Sequence, residues 1–300
     1  MITQVLIGFI IGAVLGSFVA ATSYRLIHKK SLKGRSVCES CKKAIQWYDL
    51  VPVFSYFILK GKCRKCNQKI GKESFLVEII MGALVALLLY QSLPLSGLAT
   101  PGVDNLLWVL GILFKMFVLV ILAVVFLVDL KTGYIYDKIT YPAVLISVIY
   151  WLTTSALSSW EFYRRISALP IGTFLMPPNS NYLTNHILYI WEGAFWALLS
   201  GLGAAVFFIL LILITKGRGM GWGDVKFVLF LGLVLSFPKI MVGLFLAFLF
   251  GAVTSILMII IGKKKLGQTV PFGPFLSLGA LLVLLWGEQI MNFYLKYLGV

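Results

Sequence analysis

Residues 105–133 read NLLWVLGILFKMFVLVILAVVFLVDLKTG, an apolar run interrupted only by Lys115 before it closes on Asp129, Lys131 and Gly133. A bilayer's hydrocarbon core takes about 20 such residues as a helix, so this stretch is predicted to cross a membrane and to end in an acid at its surface. Similar runs lie on either side, at roughly 2–22, 75–94, 140–157, 188–215, 225–237, 240–262 and 270–288. The chain is therefore predicted to be an all-α polytopic membrane protein of about eight transmembrane helices. Its composition agrees: 60% of the 300 residues are hydrophobic, only 12% are charged, and the mean hydropathy is +0.97. The first run lacks a basic stretch before it and a small-residue cleavage site after it, which marks a retained helix. At about 13 residues, 225–237 is short for a crossing, and a short helix sets its first residues at or just below the membrane surface.

Three parts follow: a first helix (1–22), a polar, basic module containing all the cysteines (23–74), and a membrane-embedded helical bundle (75–300). Ser158 to Ile187 is more polar, carries no motif, and is expected to be an outer loop. The net charge of +15 does not point to nucleic acid, because four segments between spans (23–74, 130–139, 216–226 and 263–265) hold 21 of the 26 Lys and Arg. Basic loops of this kind set membrane orientation and meet anionic headgroups. Eight spans put all four on one side, predicted to be the cytosol, with both termini outside.

Cys38-x-x-Cys41 and Cys63-x-x-Cys66 both fall in the 23–74 module. Two such pairs suit a tetrahedral Zn(Cys)4 site, each pair forming one knuckle. Two disulfides are the alternative, and a reducing compartment disfavours them. Neighbouring Arg35, Lys42, Lys43, Lys62, Arg64 and Lys65 would stabilise thiolates. With no fifth ligand nearby, the expected zinc is structural and folds a module too small for its own core.

Only eleven acids occur, and two stand at the ends of apolar runs on the predicted cytosolic side: Asp129, and Asp224 in Gly221-Trp222-Gly223-Asp224-Val225-Lys226. An ionisable group at membrane depth is usually functional. The plainer reading makes Asp224 a helix-start acid and Gly133 a C-cap. A Gly-x-Gly-Asp run adds something, since paired glycines let a backbone pass close to a substrate or another helix. Two such carboxylates suit aspartic proteolysis, one drawing a proton from water while the other donates to the scissile carbonyl. A helix N-terminus favours the anion at Asp224 and a C-terminus favours the proton at Asp129. A cation site in a multi-pass transporter would use the same two acids.

Several further motifs hold their order along the chain: Gly16-Ser17-Phe18, Arg35-Ser36-x-Cys38, Trp47-Tyr48-Asp49-Leu50-Val51-Pro52, Gly61-Lys62-Cys63-Arg64, Val77-Glu78, Asp129-Leu130, Gly219 to Lys226, and Pro271-Phe272-Gly273-Pro274. In these the chain resembles the bacterial type IV prepilin peptidases, aspartic peptidases of the GxGD type that also act as N-methyltransferases. The resemblance places the catalytic aspartates on Asp129 and Asp224, and implies prepilin or pseudopilin substrates, S-adenosylmethionine as methyl donor, and the bacterial inner membrane with the zinc module in the cytosol. Ala20 and Tyr136 depart from the family pattern, which has Asn and Pro there; because Ala20 lies near the module linked to methylation, a leader peptidase without methyltransferase activity is the alternative.

Four other positions enter the reading. Glu78 either complements the dipole of a helix's first turn or binds the α-amino group awaiting methylation. Lys226 either holds down the pKa of the aspartate pair or reaches for headgroups. Asp137 is expected to be a solvated loop residue. Gly12 and Gly16 form a small-residue face for helix packing.

Overall fold

The computed structural model describes residues 2–38, 40–92, 103–217, 220–262 and 270–298. Gly219 and the basic triplet 263–265 lie outside the described residues. Seven helices are long and apolar enough to cross a membrane, and no strand occurs among the described residues. The helices form two units.

The first unit holds α1 (Ile2–Ile27), the cysteine module, the five-residue α2 (Phe54–Ile58), α3 (Lys72–Ser92) and the last part of α4 (Val103–Thr132). Helices α1 and α3 run antiparallel in close contact, because glycines recur every fourth residue along the α1 face. A Cβ on Gly12 would stand 2.4 Å from the Met81 carbonyl oxygen, and one on Gly16 would stand 2.7 Å from the Glu78 Cα. In lipid, where the apolar surroundings give helices no reason to separate from solvent, such close backbone approach is what makes a pair stick. The packing role expected of Gly12 and Gly16 is borne out.

The second unit holds the first part of α4, α5 (Asp137–Ser167), the short α6 (Gly172–Leu175), α7 (Tyr182–Ile214), α8 (Trp222–Leu235), α9 (Lys239–Ile260) and α10 (Gly273–Leu298). Its centre is α8. Fourteen residues at 1.5 Å each give about 21 Å, against a hydrocarbon core of roughly 30 Å. Phe227, Val228, Phe230, Leu231 and Leu233 are all buried, so most of α8 is enclosed, while Trp222, Lys226 and Leu229 on one face keep part of their surface open. Helices α5, α7, α9 and α10 surround it. Gly232 meets Gly201 of α7, where a Cβ would stand 2.5 Å from the neighbouring Cα. Trp151 of α5 donates its indole N–H to the Leu233 carbonyl at 2.8 Å.

The region 158–187, expected to be an outer loop, is mostly helix. α5 runs on to Ser167 and α7 starts at Tyr182, leaving only residues 168–181 between them with α6 inside. Hydropathy marks where lipid ends, and a helix can continue beyond it in water. Here Glu161 and Arg165 stabilise the extension as a pair four residues apart, at 3.2 Å. His186 stacks on Phe162, with ring centroids 3.9 Å apart, which agrees with a structural role.

Candidate functional site

The cysteine module has almost no apolar interior, so its shape rests on turns and polar links. Its two halves repeat one geometry. Cys38 N–H donates to the Lys43 carbonyl at 3.0 Å, and Cys63 N–H donates to the Gln68 carbonyl at 2.8 Å. In each half the residue after the second cysteine, Lys42 or Asn67, has φ of 56°. These are the two expected knuckles. The four thiols are unpaired, and their sulfurs lie within 4.8 Å of one another, with Cys38 to Cys66 at 3.8 Å. A tetrahedral ion with metal–sulfur bonds of about 2.3 Å separates its ligands by about 3.8 Å, so the donor set fits one. Backbone N–H groups at Cys41 and Lys43 hold the thiols of Cys38 and Cys41, respectively, below the usual cysteine range. Cys66 differs. The Gln68 N–H pulls it down, but partial burial and the three neighbouring thiols outweigh that and push it up to about 11. Arg64, between Cys63 and Cys66, forks onto Asp49 at 2.7 and 3.1 Å, tying the second knuckle to the Trp47–Leu50 turn.

That turn leads to Val53, a β-branched residue at φ 63°, ψ −55°. The Phe54 N–H reaches back to the Pro52 carbonyl at 2.6 Å, so Val53 is the centre of a strained three-residue turn. The freed Val53 N–H donates to Glu78 Oε2 at 2.8 Å. The Ser17 hydroxyl also hydrogen-bonds the Glu78 carboxylate. Because α3 starts at Lys72, Glu78 lies in its second turn and is not a first-turn dipole acid. It lines a cavity of about 920 Å³ within the first unit, together with Ser17, Ala20, Tyr24, Tyr48 and Asp49.

Asp129 and Asp224 belong to different units, and each has its own surroundings. Asp129 lies in the last turn of α4, only 3% exposed. The helix ends at Thr132, whose hydroxyl donates to the Val128 carbonyl at 2.8 Å, and Gly133 follows at φ 66° as its C-cap. Lys131 pairs with Glu73.

Asp224 is 9% exposed, in the first turn of α8. Its carboxylate accepts the Gly221 N–H at 3.1 Å, and its own N–H donates to the Gly221 carbonyl at 3.1 Å. Gly223 packs on the loop before α5, where a Cβ would stand 3.1 Å from the Ile135 Cβ. The close approach expected of the glycine pair is therefore made by Gly223, while a Cβ on Gly221 would meet only ordinary contacts, at 3.9 Å. Lys226 points to Asp137 at 2.7 Å and lies over the Tyr141 ring at 4.9 Å. Asp137 is thus more than a solvated loop residue. It is the first residue of α5, half exposed, and bound to the start of α8. Sequence reasoning missed this partnership, as it missed Val53 and Ser17 as partners of Glu78.

Two family profiles match the chain. The bacterial peptidase A24 N-terminal domain matches residues 10–92, which include all four cysteines and Glu78, and the type IV leader peptidase family matches residues 182–256, which include Gly221 to Lys226. A prepilin leader peptidase/N-methyltransferase of Bacillus subtilis is 25% identical over 289 residues, 96% of each chain. One of Aeromonas salmonicida is 27% identical over 262 residues, 87% of this chain and 75% of that protein. One of Vibrio cholerae is 34% identical over 158 residues, 50% of this chain and 57% of that protein. No solved structure matches.

Proposed function

The chain belongs to the type IV leader peptidase family, and from that premise we propose that it removes leader peptides from type IV prepilins or pseudopilins and methylates the new N-terminus. Asp129 and Asp224 act as the proteolytic pair. The supporting observation is that each is a carboxylate buried at the end of an apolar helix, where an acid without a task is expensive. Asp129 also stands four residues before Gly133, in the same chain segment as the loop on which Gly223 packs.

The pair titrates as a unit, with the charge more often on Asp224, at a helix N-terminus with the Gly221 N–H on its carboxylate, and the shared proton more often on Asp129, at a C-terminus. Asp224 draws a proton from water as the water oxygen bonds to the scissile carbonyl carbon. Asp129 gives its proton to the carbonyl oxygen. The tetrahedral intermediate then breaks its carbon–nitrogen bond, and the amine leaves with a proton returned by the pair. The shortness of α8 supports a position for Asp224 near the cytosolic lipid boundary, the depth at which a basic leader meets an apolar pilin helix. The basic segments support the cysteine module lying on that same side of a bacterial cell membrane.

Zinc is the metal we assign to Cys38, Cys41, Cys63 and Cys66; it would hold the two knuckles together and supply no chemistry. S-adenosylmethionine supplies an electrophilic methyl group. The cavity of the first unit is large enough for a ligand of that size, and Glu78, steadied by Ser17 and Val53, would hold the incoming α-amino group there.

Co-expression with a model prepilin tests this reading. Asp129→Asn and Asp224→Asn should each lower leader removal by at least about a hundredfold. Complete processing by either variant would end it. The N-terminal mass of the wild-type product reads methylation separately.

A further inference from the structure

Between the two knuckles, the segment 47–58 turns large apolar side chains outward. Trp47 is 76% exposed, Phe54 67%, Phe57 65% and Ile58 71%. Side chains of this size clustered in one short segment mark a surface that meets something other than water. The segment is held rigidly. Ser55 donates to the Tyr48 carbonyl at 3.0 Å, Val53 is fixed to Glu78, and the rings of Tyr56 and Phe57 lie on Phe75, with centroids 4.5 and 5.4 Å apart.

Phe75 sits in the first turn of α3, where a membrane span begins, and Leu76 and Ile80 just beyond it are exposed as lipid-facing residues are. The outward face of 47–58 is therefore fastened to the entry end of a span. Lysines 60, 62, 65, 69 and 72 follow it along the chain, and the one acid within it, Asp49, is taken up by Arg64.

We propose that 47–58 is an interfacial anchor. Trp47, Phe54, Phe57 and Ile58 insert at the boundary between headgroups and acyl chains, and the lysines that follow them in the chain rest on anionic headgroups. Three features favour lipid over a protein partner: aromatic side chains beside a cationic rim, attachment to a helix that already enters the bilayer, and a charge that repels a basic leader peptide. Docked in this way, the module cannot swing away from the α1–α3 pair that carries Glu78.

The test uses the full chain in nanodiscs of phosphatidylglycerol or phosphatidylcholine, with and without acyl-brominated lipid. The Trp47 signal is the difference between wild type and Trp47→Phe. Quenching of that signal by bromolipid, with shielding from aqueous iodide and deeper quenching in phosphatidylglycerol, is the expected result. A Trp47 signal quenched by iodide and untouched by bromolipid would overturn the anchor, and so would one protected from both quenchers, which means a protein covers the face. If Trp47→Phe perturbs folding, Phe57→Trp reports from the same face by its added emission, with the same outcomes deciding. None of these readouts depends on peptidase activity, so the anchor and the aspartate pair stand or fall separately.

Discussion

At the scale of single residues, the chemistry-bearing groups rest on partners that the sequence does not announce. Lys226 and Asp137 are 89 positions apart, and nothing local suggests that they meet. With both groups open to water, Asp137→Ala should leave the melting temperature unchanged. It should still slow leader cleavage by roughly tenfold, less than the hundredfold that an ångström of misplacement at a reacting group costs. Exchanging the two charges should recover part of that rate, which a double-substitution kinetic cycle would show. Val53 offers an opposite case. Its backbone strain is worth about 1–3 kcal/mol and glycine's added freedom costs about 0.5–1 kcal/mol, so Val53→Gly should be neutral or up to about 2.5 kcal/mol stabilising in thermal unfolding. Glu78→Ala should instead cost about 1–3 kcal/mol, since the Val53 N–H and Ser17 hydroxyl lose their acceptor. The cysteines were legible because four identical ligands at fixed spacing have few other uses. Val53 was not, because a strained turn around a valine breaks the propensity by which turns are recognised.

At the scale of elements, hydropathy located every span, and its errors fell where helices leave lipid. It set the end of one helix near 157 and the start of the next near 188, whereas α5 and α7 reach Ser167 and Tyr182. The boundary of an apolar run is a boundary of solvent, and backbone hydrogen bonding does not stop there. The pairing of α1 with α3 was legible in part, because Gly12 and Gly16 suggested a face but not its partner. Gly12→Leu should be severe. The new side chain would press on the Met81 backbone, which has no rotamer to yield, so a loss of about 3 kcal/mol, the upper part of the usual overpacking range, is expected. Thermal unfolding in detergent would read it, and Gly203→Leu, at a position with open space in α7, is the control.

At the scale of the whole molecule, the proposed metal and the membrane would do for different parts what an apolar core does for a soluble domain. Removing the metal with a chelator should raise hydrogen exchange over residues 36–70 and leave α5 to α10 unchanged. Binding should also depend on pH in one direction. A thiol at about 11 keeps its proton near neutrality, and the metal must expel it. Affinity should therefore rise with pH and fall by about tenfold per unit for each proton released as the medium is acidified, which competition titrations would show. The enclosed α8 bears on how such a chain is made. Fourteen residues, too few to span the hydrocarbon core, do not partition as an independent segment when they leave the ribosome. Their entry waits for neighbours to form a receiving slot, so a nascent chain arrested soon after Leu235 should leave that segment open to a water-borne thiol reagent at an introduced cysteine, and release through α10 should close it. Biogenesis of the acid-bearing helix is, on this account, an act of assembly rather than of insertion.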